Sequence, residues 1–107
     1  LEPLETDTRT LAWILYSVAI ASGKAPASRI DISTAADAIN HAVPTQQELN
    51  GALKKLVAYG LIESQGRFHA LTASGQSLLQ TAQAGRPTVM AVWGALTQEL
   101  ARASGGR

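Results

Sequence analysis

The sequence contains no cysteine, which excludes a disulfide framework, a thiolate metal site and a cysteine nucleophile. Charge is sparse: Asp, Glu, Lys and Arg make up 16% of the 107 residues, and the net charge is +1. A balance so close to neutral calls for no strongly acidic or basic partner. Residues 1–44 sum to −2 and residues 45–107 to +3, a mild asymmetry. Long hydrophobic runs are missing as well. The longest, Leu11 to Ala21, is too short to cross a bilayer, and it follows Glu2, Glu5 and Asp7, where an export signal carries basic residues. These absences predict a soluble, cytoplasmic protein with no membrane partner. The first residue is leucine, which leaves a trimmed start open.

Catalytic patterns are absent too. There is no glycine-rich phosphate loop, no nucleophile elbow and no spaced set of acids, so no enzyme, catalytic residue or cofactor is expected. Asp37 and His41, four residues apart, share a helical face, and His69 is the other histidine. Without an HExxH spacing, a local Asp–His pair or a histidine holding a turn is the reading, and no metal site is assigned.

What the chain does have is alanine and regular punctuation. Apolar residues make up 46%, of which 19 are alanine, so the core is that of one small helical domain, residues 1–103, and a thin one. A partner subunit is the usual source of the missing buried area. Gly23, Gly60 and Gly85 fall just past periodic runs, and Pro26, Pro44 and Pro87 lie between them. Together they mark five helices and one extended stretch.

The first helix, residues 7–22, has Leu11, Ile14, Leu15 and Val18 on one face and Trp13, Tyr16 and Ile20 on the other, so it must be covered twice. The second opens on Ser28 with Asp31 in capping-box spacing and continues through Ile32, Ala35 or Ala36, Ile39 and Val43; a start at Ser33 after a short strand is the alternative. Thr45-Gln46-Gln47-Glu48 is a full capping box for the third, whose expected buried stripe is Leu49, Leu53 (or Ala52), Leu56 and Val57. Leu61–Ser64 and Arg67–Leu71 around Gln65-Gly66 read as a hairpin. Thr72 caps a fourth helix. A fifth, residues 88–103, carries Val89, Val92, Trp93, Leu96 and Leu100, and residues 104–107 read as a disordered tail.

Leu49-x3-Leu53-x2-Leu56-x3-Gly60-Leu61-Ile62, a short hairpin, then Leu71-Thr72-x2-Gly75 closely resembles the recognition helix, wing and following helix of MarR-like and PadR-like bacterial regulators, over roughly residues 28–82. The run Ala35-Ala36-Asp37-Ala38-Ile39-Asn40-His41-Ala42 is also similar to a stretch of small bacterial proteins of unassigned function. The resemblance implies a mainly α domain with a small β-hairpin wing, a winged helix-turn-helix. It also implies double-stranded DNA as partner and a homodimer built from the terminal helices. Trp13, Tyr16, Ile20, Val89, Val92, Trp93, Leu96 and Leu100 are then the interface candidates.

On that expectation Gln46, Gln47 and Asn50 are candidates for base edges, since amide side chains pair with adenine; a solvated helix face is the plain alternative. Lys54, Lys55 and Arg67 are candidates for phosphate contacts, and Arg29 is a further one beside a helix start. Here the chain departs from the family: residues 45–71 balance to +1, where known members are more basic. The alternative function is therefore a protein-interaction module of the same fold that does not bind DNA specifically. A ligand-sensing piece of a larger regulator is a third, with the effector unspecified.

Overall fold

The computed structural model describes residues 8–105, with side chains through Arg102. Seven elements follow in order: α1 (Thr8–Ala21), α2 (Arg29–Asn40), α3 (Gln46–Ala58), β1 (Ile62–Gln65), β2 (Phe68–Leu71), α4 (Ala73–Gln83) and α5 (Val89–Gly105). The architecture is mainly α with a two-stranded antiparallel hairpin, as expected. None of the described helices is long and apolar enough to cross a membrane.

α1 is the centre of the domain. Every residue from Leu11 to Val18 is buried, and the helix packs on α2, α3, α4, α5 and β2. Its two apolar faces are covered from within the same chain. Trp13 donates its indole N–H to the Ala36 carbonyl of α2 at 2.9 Å, and its ring lies 6.1 Å from that of Trp93 on α5. Trp93 in turn donates to the Arg9 carbonyl at 3.0 Å, under the Arg9 guanidinium. A buried tryptophan is stable only when its N–H finds an acceptor, and both do.

This arrangement corrects the interface expectation. Trp13, Tyr16, Val92, Trp93, Leu96 and Leu100 are core residues of the single chain, at most 6% exposed, and so are not available to a partner. Ile20 and Val89 alone among the eight candidates remain open, at 50% and 43%. An excess of apolar faces on two helices is resolved by laying α5 along α1.

Helix ends follow the capping chemistry. Both capping boxes form: Ser28 with Asp31, which fixes the earlier of the two possible starts for α2, and Thr45 with Glu48. His41 closes α2 in the left-handed region at φ 55°, in keeping with a histidine that holds the turn. The sharp turn there carries Val43 out to solvent, 66% exposed, off the buried stripe it was assigned to. α3 ends in a Schellman motif, with Gly60 N–H bonded to Val57 O and Leu61 N–H to Leu56 O, which requires the positive φ of 77° at Gly60. Ala52 and Leu53 both join Leu49 and Leu56 in the core, while Val57 lies partly outside it.

The hairpin turns one residue later than its sequence suggests. Gln65 pairs with Phe68, so Gly66 and Arg67 form the loop. Gly66 has φ 64° and Arg67 stays at negative φ, which matches the demand of a type II′ turn for glycine at its first central position. Ala27, between α1 and α2, adds a one-residue bridge to β2 through two backbone hydrogen bonds with His69. Thr72 then ties both hairpin ends together: its hydroxyl donates to Gly60 O and accepts from Gly75 N–H, while its own N–H bonds Leu61 O. A Cβ at Gly75 would run into that same Leu61 carbonyl, which is why glycine stands in the first turn of α4. At the other end α5 continues through Ser104 and Gly105, two residues into the expected tail; residues 106–107 lie outside the described residues.

Candidate nucleic-acid interface

α3 is seated by Leu49, Ala52, Leu53 and Leu56, and this fixes what its other side presents. Gln46, Gln47, Asn50 and Lys54 are exposed there. The Ala27 bridge holds β2 against the chain just before α2, so the hairpin, the start of α2 and the outer side of α3 frame one concavity of about 300 Å³. Its lining brings together Arg29 from α2, Asn50, Leu53, Lys54 and Val57 from α3, and Ser64 and His69 from the hairpin.

Three of the seven candidates therefore meet in one place: Arg29, Asn50 and Lys54. Arg29 also borders a second, shallower depression of about 270 Å³ between α2 and α3, lined among others by Gln46, Asp37, Ile30 and Val43. Gln47 stands exposed on the first turn of α3 and lines neither. Lys55 is half-buried, one step around the helix from Lys54. Arg67 is exposed at the tip of the wing, away from the concavity.

The charge arrangement is less neutral than its sum. Asp31 and Glu48 turn their carboxylates onto the backbone N–H groups of Ser28 and Thr45, at 3.3 and 2.9 Å, as parts of the two capping boxes. Among the described residues no carboxylate lines the concavity itself, whose charged residues are Arg29 and Lys54. Of the charges that sum to +1 over residues 45–71, Glu48 is engaged at a helix start and Lys54 lines the hollow, while Glu63, Lys55 and Arg67 stand outside it.

His69 is the residue that sequence reasoning missed. It is 7% exposed, and its Nδ1 has no hydrogen-bond partner among the described residues. Burial, and after it the positive charge of Arg29, hold its pKa below the ordinary histidine value, so the imidazole is neutral at pH 7. Strand register is the signal that finds it, since His69 sits opposite Ser64 and shares its face. Asp37 and His41 stand at the far end of α2, exposed, with His41 N–H bonded to the Asp37 carbonyl. The two tryptophans lie against each other in the core. In comparisons with known proteins, no family model, no characterised protein and no solved structure matches the chain.

Proposed function

We propose that this chain is a winged helix-turn-helix protein that binds double-stranded DNA, a bacterial transcriptional regulator acting in the cytoplasm as a homodimer. The observation that carries the reading is the concavity joining α2, α3 and the hairpin, with Arg29 and Lys54 on its walls and no carboxylate among the described residues that line it. Phosphate neutralisation by such cations supplies most sequence-independent affinity for DNA. Asn50 sits beside them on the exposed side of α3, with Gln46 and Gln47 one turn earlier, where amide groups can read base edges. Arg67, exposed at the hairpin tip outside the concavity, is a further candidate for a phosphate contact. No catalytic role is assigned to any residue. For the homodimer, Ile20 and Val89, with Met90 beside it, are the large apolar side chains of the terminal helices left uncovered among the described residues. Sedimentation at micromolar concentration tests it, and a monomer removes the dimer from the reading.

The test of the DNA reading is selection from randomised duplexes at near-physiological salt, then titration of the selected sequence at several salt concentrations. A two-fold-symmetric site with half-sites about one helical turn apart is expected. Arg29→Ala, Lys54→Ala and Arg67→Ala together should flatten the salt dependence, by about 0.9 in log–log slope for each phosphate no longer neutralised. Asn50→Ala should instead change sequence preference. An unaltered slope in the triple variant overturns the assigned footprint.

A second reading, a protein-interaction module, draws on Ile30 and Val43, which are 78% and 66% exposed beside the second depression. Selection with no enriched sequence and only weak, salt-sensitive binding favours it.

A further inference from the structure

Among the described residues the buried polar side chains are Ser17 and His69. Ser17 is satisfied, its hydroxyl donating to the Trp13 carbonyl at 2.7 Å. His69 Nδ1 is not. Buried polar groups in folded proteins are almost always paired, so an orphan calls for a partner from outside. The walls around His69 say what kind. Their polar residues are Arg29, Lys54, Asn50 and Ser64, with no Asp or Glu among the described residues that line the hollow. Every one of these groups donates hydrogen bonds; the complement is a compact anion with several acceptor oxygens.

The geometry points to a phosphate-binding subsite in this concavity, with Arg29, Lys54 and Ser64 holding the anion's oxygens and the His69 imidazole joining them in its protonated form. The inference rests on the DNA-binding reading for its source of phosphate, a backbone phosphodiester, and free phosphate shares the chemistry. His69 is neutral in the free protein because burial and Arg29 disfavour its charge. Among the described residues the charged groups lining the hollow with it are Arg29 from α2 and Lys54 from α3, both cations; β1 contributes the uncharged Ser64 opposite it, while Glu63 pairs with Ala70 on the other face of the hairpin. α1 also packs on β2, but its Arg9 lies over the Trp93 ring and its Tyr16 is kept neutral by burial. α4, packed on β2 as well, carries no titratable residue. Asp31, at the α2 end, is turned onto Ser28 N–H. Among the described residues, then, no carboxylate lines the hollow beside the imidazole, and His69 takes up one proton from solvent as the anion binds.

Proton uptake makes binding pH-dependent in a stated direction. Affinity rises as pH falls between the bound and free pKa of His69, by up to about tenfold per pH unit. The test is twofold. Affinity for the selected duplex is measured at constant salt from about pH 8 to about pH 5.5 for the wild type, His69→Gln and His41→Gln. In parallel, the His69 ring is titrated by NMR in the wild type alone, with duplex, and with inorganic phosphate. The expected result is a pH slope that His41→Gln keeps and His69→Gln loses, with a higher His69 pKa in the duplex complex. DNA binding that is equally strong at every pH, with no change in the His69 titration, overturns the subsite and leaves the DNA reading standing. No DNA binding, with a His69 pKa raised by inorganic phosphate, upholds the subsite with free phosphate as its ligand and overturns the DNA reading. No response to either overturns both. The NMR arm uses the wild type, so the answer does not depend on the folding of His69→Gln.

Discussion

α1 and α3 both carry leucine-rich stripes, yet one is closed off by its own chain and the other is left half open. Around α1 three polar handles are matched internally: Trp13 to Ala36, Trp93 to Arg9, Ser17 to Trp13. Around α3 the backbone is satisfied at both ends, by the Thr45 box and the Schellman turn, but the outer side chains face a hollow. The first region spends its residues on stability. In the second, amide and cationic residues line a hollow framed by α2, α3 and the hairpin, which is the expected arrangement of a surface that recognises something else.

Substitution should separate the two regions sharply. Trp13→Ala removes the ring that bridges α1, α2 and α5, and should cost roughly 3–5 kcal/mol in urea unfolding. That is a large share of a small domain's stability. Lys54→Ala should stay within about 0.5 kcal/mol, being an exposed residue outside the core. Equal costs for the two would dissolve the distinction. Gly75→Ala comes next, at about 3 kcal/mol, because the new methyl meets the Leu61 carbonyl and either α4 or the hairpin must shift. A readout at that size would show that the wing is held rigidly to the core; a neutral result would show that it can slide. Thr45→Ala should cost about 1 kcal/mol through loss of the cap, measured by thermal or urea unfolding.

The helices were legible because their ends are written locally. Ser28–Asp31, Thr45–Glu48 and Thr72 each act over one turn of chain, and the structure keeps all three. What the sequence does not reveal is long-range. The same spacing of Trp93, Leu96 and Leu100 serves a subunit seam or an intrachain groove, and only the path after Gly85 decides that α5 returns to α1. Val43 and Val57 keep helical spacing but sit just beyond where the core ends. Of the candidate site, Arg29, Asn50 and Lys54 could be named from helix faces, but their meeting with His69 depends on the Ala27 bridge, a one-residue pairing with no local signature.

The smallest effect concerns the open region alone. Arg29 and burial both disfavour a charge on His69, and burial is the larger cause. Arg29→Gln removes one of these and leaves the other, because the ring's enclosure comes from the hairpin pairing and the bridge to Ala27. Its His69 pKa, followed by NMR in the free protein, should rise only part of the way to the ordinary value. The sign for stability follows from the depressed pKa. The unfolded chain binds the proton more readily, so wild-type stability is held above the ordinary histidine pKa and declines as pH falls below it towards the folded pKa. In Arg29→Gln that decline should be shallower but still present. Full recovery of the ordinary pKa would mean that charge, not burial, controls the imidazole, and that the floor of the hollow is wet enough to solvate it without an anion.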